Sequence, residues 1–233
     1  MAINAGDTTY YQAKRGIVQD GLVLNLDAAV DQSYPGNGTT WYDLAGSNSG
    51  TLINGPTFDR DNGGSIVFDG TDDRVDSTSP SELNNISEIT MIAWVIYDGI
   101  GYYPKIMSRG HGLGTDFLRG NNNNALNFYY SSSSSVTDAD YFSETVGPNL
   151  SSGWVCTAVT SKDVVKFYKN SELVYTSSSI TTNTGTSSTL TLGNRPGGGR
   201  NFNGKMAIAM VYSRALTPDE IRQNYNATKG RFQ

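Results

Sequence analysis

From Gly21 onward, apolar and polar residues alternate in short runs, and polar, glycine-containing stretches separate them. Leu22-Val23-Leu24-Asn25-Leu26-Asp27 is the first such run, followed by a polar loop to Thr40. Ser65-Ile66-Val67-Phe68 is a short strand closed by Asp69-Gly70. Ile89 to Tyr97 is longer and carries apolar side chains on both faces, which predicts a central strand covered on both sides. Further strands are predicted at Ala125–Tyr130, Val155–Ser161, Val164–Lys169, Leu173–Tyr175, Leu190–Leu192 and Lys205–Tyr212. Tight turns at Lys162-Asp163 and Asn170-Ser171 join the second, third and fourth of these. Leu192 leads into a glycine-rich loop, Gly193 to Gly204. Short strands at this spacing, without a helical period between them, predict an all-β, two-sheet antiparallel jelly-roll sandwich.

One short helix is predicted. Thr217-Pro218-Asp219-Glu220 places a hydroxyl at the cap, proline at the first helical position and a glutamate three residues after the cap. Ile221 and Tyr225 then share a face, and the helix ends near Ala227. Residues 1–20 stand apart from the strand pattern, so the chain divides into an N-terminal arm, 1–20, and a domain, 21–233. The arm is poor in aliphatic residues but carries Tyr10, Tyr11, Lys14 and Arg15. It reads either as a floppy terminus or as a docking segment that orders on a neighbour. Asn121–Asn124 and Ser131–Ser135 are low-complexity tracts expected in solvated loops.

Composition narrows the function classes. Charged residues are only 17% of the chain, the net charge is −5 and no basic stripe exists, which argues against nucleic acid or an anionic membrane surface as partner. Cys156 is the one cysteine, so no intrachain disulfide is expected. It lies in an apolar run and is expected to be a buried, inert thiol. Met1-Ala2-Ile3-Asn4 does not have the pattern of a signal peptide, and no apolar stretch reaches the length of a membrane span. These features suggest assembly in a reducing cytoplasm.

Five segments in order resemble the laminin G-like, concanavalin A-like jelly roll. They are Ser65–Asp73, Ile89–Val95, Gly153–Thr160, Val165–Val174 and Phe202–Ile208 continuing to Val211–Thr217. The opening Gly21–Ala28 and the close Tyr225–Phe232 resemble virion-associated versions in tailed phages, those of cyanobacteria and marine bacteria in particular. That resemblance implies a virion structural or attachment protein: a capsid decoration, fibre or tail-associated module that contacts host-surface glycans. It implies other virion proteins as partners and a homo-oligomer, with a trimer favoured. A soluble carbohydrate-binding lectin is the alternative, and a glycoside hydrolase the remote one.

Catalytic chemistry is poorly supplied. Retaining hydrolysis needs two carboxyls about 5 Å apart, yet Glu82, Glu88, Glu144, Glu172 and Glu220 are each isolated in sequence. His111 is the sole histidine, which excludes a histidine-centred metal cluster. The protein is therefore expected not to be an enzyme. Asp69, Asp72 and Asp73 form the densest acidic group, with hard oxygen donors suited to Ca²⁺ or, equally, to holding a turn. Laminin G-like relatives sometimes bind Ca²⁺, but Ala207 stands where many of them carry an aspartate. The candidate ligand surface is loop-borne: Tyr102, Tyr103, Arg109, His111, Asp116, Arg119, Asn121, Tyr129 and Tyr130 from the middle of the chain, with Arg195, Arg200, Asn201 and Phe202 from the glycine-rich loop. Aromatic faces would stack on sugar rings, and the polar groups would supply directional hydrogen bonds.

Overall fold

The computed structural model describes residues 16–78, 80–99, 103–110, 114–119, 125–131, 140–145, 153–177 and 189–233. In chain order the strands are β1 (Leu22–Asp27), β2 (Thr40–Trp41), β3 (Gly50–Ile53), β4 (Thr57–Asp59), β5 (Ser65–Asp69), β6 (Arg74–Ser77), β7 (Ile89–Tyr97), β8 (Lys105–Arg109), β9 (Gly114–Arg119), β10 (Ala125–Ser131), β11 (Asp140–Thr145), β12 (Val155–Ser161), β13 (Val165–Lys169), β14 (Glu172–Thr176), β15 (Leu190–Leu192) and β16 (Asn203–Tyr212). One α-helix follows, α1 (Pro218–Thr228). The strands form two antiparallel sheets, as expected. Sheet I has the order β14-β13-β12-β7-β16-β5-β4, with β1 also paired to β16; sheet II has the order β11-β10-β9-β8-β15-β6-β3-β2.

Strand β7 shows why sheet I is central. Met91, Ala93, Val95 and Tyr97 face the core between the sheets, while Ile92 and Trp94 face the opposite way into a second apolar layer. Along β16, Met206, Ala209 and Val211 face the inner core, whereas Ala207, Ile208, Met210 and Tyr212 face outward. The simple alternation breaks between Met206 and Ile208, where a bulge against β7 inserts one residue and reverses the parity.

The outer layer needs its own cover, and residues near Val18 and the segment from Leu216 to Phe232 provide it. Ile221 of α1 and Leu216 are buried there, and Trp94 is stacked on Tyr225 (5.6 Å between ring centroids) and Phe232 (4.1 Å). The Trp94 indole N–H donates to the Thr228 hydroxyl at 2.8 Å. Val18 is buried in the same layer. Its N–H donates to Asn224 Oδ1 (2.8 Å), its carbonyl accepts from the Tyr212 hydroxyl (3.0 Å), and Asn224 Nδ2 donates to that hydroxyl (2.9 Å). Residues 16–20, assigned to the arm from sequence, are thus docked on the domain; residues 1–15 lie outside the described residues. Among the described residues no helix is long and apolar enough to cross a membrane.

Local signals behave as their chemistry requires. Both halves of the capping box form at α1, with Thr217 N–H donating to the Glu220 carboxylate (2.8 Å) and Glu220 N–H to the Thr217 hydroxyl (3.3 Å). Between β13 and β14, Asn170 (φ 50°) and Ser171 (φ 69°) are both left-handed, the signature of a two-residue type I′ hairpin. Cys156 is buried, and desolvation pushes its thiol up to about 12, far from thiolate chemistry at neutral pH. The strands not anticipated from sequence are β2, β3, β4, β6, β8, β9 and β11. Several are short or interrupted by charge: β8 carries Lys105 and Arg109 at its ends, and all five of its residues are buried.

Asn224→Ala leaves buried partners on Val18 and Tyr212 unsatisfied, so we expect a loss of roughly 2–4 kcal/mol in chemical denaturation and faster amide exchange at residues 16–20. Glu220 is held down to about 2, first by hydrogen bonds from the Arg214 guanidinium (2.6 and 2.9 Å) and then by those from Thr217. A depressed carboxylate adds stability above its unfolded pKa, and that stability is lost as pH falls through the folded value. The melting temperature should therefore decline between about pH 5 and pH 2, and Glu220→Gln should lower it at neutral pH while flattening that decline.

Candidate functional site

Several of the predicted ligand residues converge at one end of the sandwich because β5, β7 and β16 meet there. Asn203 at the start of β16 pairs with Asp69 at the end of β5, and its carbonyl accepts from Asp98 N–H just beyond β7 (2.9 Å). The glycine-rich loop enters this end from β15. Its return is fixed by Phe202, which is buried edge-on to Phe68 (5.8 Å) and tilted against Tyr97 (5.4 Å). The Asp69–Asp73 turn and the Gly193–Phe202 loop are therefore neighbours.

The loop is organised around Asn194, which is fully buried. Its Oδ1 accepts from Arg195 N–H (2.9 Å) and Arg200 N–H (3.0 Å), and its Nδ2 donates to Asn201 Oδ1 (2.7 Å). Arg195 Nε donates to the Gly198 carbonyl at 2.6 Å. Phe202 N–H donates to the Gly193 carbonyl (2.8 Å), and Lys105 N–H to the Arg200 carbonyl (3.0 Å), tying the loop to β8. Arg200 lies over the Tyr103 ring, 5.8 Å from its centroid. Arg195, Arg200, Asn201 and Tyr103 all remain partly exposed. Asn194 was not singled out from sequence. An asparagine after glycine reads as a turn former, and only the fold reveals that it is the buried hub.

The structure separates the other candidates. Arg109 is a correction: it is not a loop-borne surface group but is fully buried, donating to the Leu83 carbonyl (2.6 Å) and to Asn84 Oδ1. Burial lowers its pKa to about 10, so it remains cationic at neutral pH and serves to brace residues 83–84. Asp116 and Tyr129 pair across β9 and β10, and Arg119 lies opposite Leu126. Tyr102, His111 and Asn121 lie outside the described residues, as do Tyr10, Tyr11, Lys14 and Arg15.

The carboxylates of Asp69, Asp72 and Asp73 lie within 4.8 Å of one another. Asp73 is buried and accepts from Asp69 N–H (3.0 Å), while Asp69 Oδ1 accepts from Thr71 N–H (2.7 Å). Burial, reinforced by the charges of Asp69 and Asp72, raises the Asp73 carboxyl above the usual aspartate range. The donors suit Ca²⁺ in kind, but three carboxylates fall short of the roughly six to eight oxygens it takes. Two of them already hold the turn.

Across sheet II, Asp76, Thr191, Ser108 and Asp116 lie in successive paired positions on β6, β15, β8 and β9. Asp76 is moreover engaged by Arg74 (2.9 Å) and by the Thr191 hydroxyl (2.9 Å).

The model of the concanavalin A-like lectin/glucanases superfamily matches residues 69–222. No curated protein matches the chain in sequence. Similar solved structures include the binding domain of Paraclostridial Mosquitocidal Protein 1 (TM-score 0.69, 14% identity, covering 90% of this chain and 52% of that one). Another is botulinum neurotoxin type C, from a study of cell entry that depends on two ganglioside molecules (TM-score 0.69, 13% identity, 91% and 52%). A third is the binding domain of botulinum neurotoxin DC in complex with rat synaptotagmin II (TM-score 0.68, 14% identity, 91% and 52%). The chain spans about half the length of the solved chains it matches, and at these identities the likeness is one of fold.

If Asn194 is the hub of the loop, Asn194→Ala should free residues 195–201 without unfolding the sandwich. We expect a stability loss of about 1–3 kcal/mol and accelerated amide exchange at Arg195 and Arg200, measured by hydrogen–deuterium exchange.

Proposed function

The chain belongs to the concanavalin A-like lectin/glucanases superfamily, and from that premise we propose that it is a non-enzymatic attachment module that contacts surface glycans. The observation that carries this reading is the Gly193–Phe202 loop. It is pinned from beneath by buried Asn194 and presents Arg195, Arg200 and Asn201 beside Tyr103. A loop held this way loses little conformational freedom on binding, which favours recognition of polar ligands. Fold relatives that include a ganglioside-dependent neurotoxin support a glycan as the ligand class.

We further propose that the module is a virion structural protein, as its opening and closing segments suggest, anchored through its N-terminal arm to a neighbouring subunit or another virion protein. The polarity of the domain supports this arrangement. The arm's root at Gly16 accepts from Gln223 Nε2 (2.9 Å), and Leu22 pairs with Tyr212 at the end of β16. The glycine-rich loop leads into the other end of that strand. Ten residues of β16 thus separate root from loop, roughly 30 Å of extended chain. An arm that anchors one end leaves the loop at the other end free to face outward. A freestanding lectin is the second reading, favoured by the same fold relatives.

Deletion tests the two ends separately. Removing residues 1–15 should leave thermal melting unchanged while abolishing oligomerisation or virion incorporation. Removing residues 1–20 should also destabilise the domain by about 1.5–3 kcal/mol, because the buried Val18 side chain is lost. Normal assembly by the shorter deletion overturns the anchoring role. On a glycan array the intact chain should bind; turnover of a polysaccharide would overturn the non-enzymatic reading.

A further inference from the structure

Strand β16 is edged on one side by two strands laid end to end. β1 pairs with residues from Ile208 to Tyr212, and β5 pairs with Asn203 to Met206. They hand over at the bulge, where Ala28 N–H donates to the Ala207 carbonyl (2.9 Å). At this seam the chain leaves β1 in a loop and returns through β4 and a tight turn at Asp61–Gly63. Between them lies a cleft of about 120 Å³ lined by residues that include Asp31, Tyr34, Gly36, Phe58 and Arg60.

The cleft is built rather than left over. The Arg231 guanidinium fastens its base, pairing with the Asp27 carboxylate and donating to the carbonyls of Asn62 (3.0 Å) and Gly64 (3.1 Å). Tyr34 is buried, packed against Phe58 with ring centroids 5.2 Å apart, and its hydroxyl donates to the Gly38 carbonyl (2.9 Å). Gly36 has φ +83°, and a Cβ there would meet the Phe58 ring at 3.3 Å and Arg60 Nη2 at 3.4 Å. The absence of a side chain at position 36 keeps the cleft open.

Its charges are uncommitted. The Arg60 guanidinium rests over the Phe58 ring (5.8 Å), and among the described residues neither Arg60 nor Asp31 has an ion-pair partner. One cleft therefore carries a cationic donor and an anionic acceptor, both exposed, with no ion pair between them. An anion would face Asp31, a cation would face Arg60, and an apolar group would use neither. A neutral ring bearing hydroxyls can accept from Arg60 and donate to Asp31. The volume, well below the roughly 300 Å³ and more of drug-sized pockets, suits one ring and not an oligosaccharide.

We propose that this cleft binds a single neutral sugar ring, the terminal unit of a glycan whose remainder stays in solvent. The proposal rests on the glycan-binding reading but assigns a second site, separated from the glycine-rich loop by the length of β5. The test is an NMR titration of the full chain with glucose, galactose, mannose, fucose and N-acetylglucosamine, and with glycine as a zwitterion that matches the same charges. Sugar should shift resonances of Ala29–Gly36 and Phe58–Gly63, with an affinity on the order of millimolar. Arg60→Gln and Asp31→Asn, both at exposed positions, should each weaken binding about tenfold, with unchanged melting. Arg200→Gln, at the other site, should not. Absence of cleft shifts with every sugar at about 50 mM, binding unaffected by both cleft variants, or a preference for glycine would each overturn the proposal. Failure of the wider reading is distinguishable: the intact chain would then retain nothing on a glycan array, whereas failure of the cleft alone leaves array binding undiminished in Arg60→Gln.

Discussion

Strand β16 is the constraint on which the other parts depend. It pairs along its whole length with β7 on one side. Gly204, near its start, runs so close to β7 that a Cβ would lie 2.1 Å from the Ile96 carbonyl oxygen. On the other side no single strand follows it. The bulge between Met206 and Ile208 changes which face each side chain takes, and β5 stops and β1 begins at that point. A strand buried on both faces must satisfy two apolar layers at once, and the inserted residue lets one chain serve both.

That double burial gives residues 16–20 and the segment from Leu216 to Phe232 a structural role. Ile92, Trp94, Ile208, Met210 and Tyr212 would form an exposed apolar face if sheet I were left bare. The α1 helix and residues 16–20 cover it, and the buried Val18–Tyr212–Asn224 hydrogen-bond set fixes both covers to the same strand. Arg231 extends this fastening to the seam between β1 and β5. The outer layer, the arm's root and the base of the cleft are thus consequences of one sheet needing a lid.

The proposed contact regions lie along the same strand. At its start the Asp69–Asp73 turn and the Asn194-centred loop adjoin; at its bulge lies the Asp31–Arg60 cleft; at its end residues 16–20 dock. At the first of these places, buried or turn-forming side chains hold backbone N–H groups. The turn acids hold N–H groups, and Asn194 holds the loop. Such anchoring ties down the backbone beneath the partly exposed Arg195 and Arg200.

Local patterns in the sequence were sufficient wherever short-range chemistry decides the outcome. The apolar run Ile89–Tyr97 reads as a strand buried on both faces because its residue types fit nothing else. Thr217-Pro218-Asp219-Glu220 reads as a helix start because its hydrogen bonds close within four residues. Cys156 reads as an inert thiol from its apolar neighbours. β3, β6 and β8 were not legible, since glycine or charge interrupts their alternation and only pairing with distant strands makes them extended. Arg109 looked like a surface ligand group because arginine is usually exposed; partners at residues 83–84, some 25 positions away, bury it. The convergence of Asp69, Arg200 and Tyr103 at one end, and of Asp31 and Arg60 in one cleft, was decided by tertiary structure alone. Long-range strand pairing sets which loops become neighbours, and no local propensity encodes it.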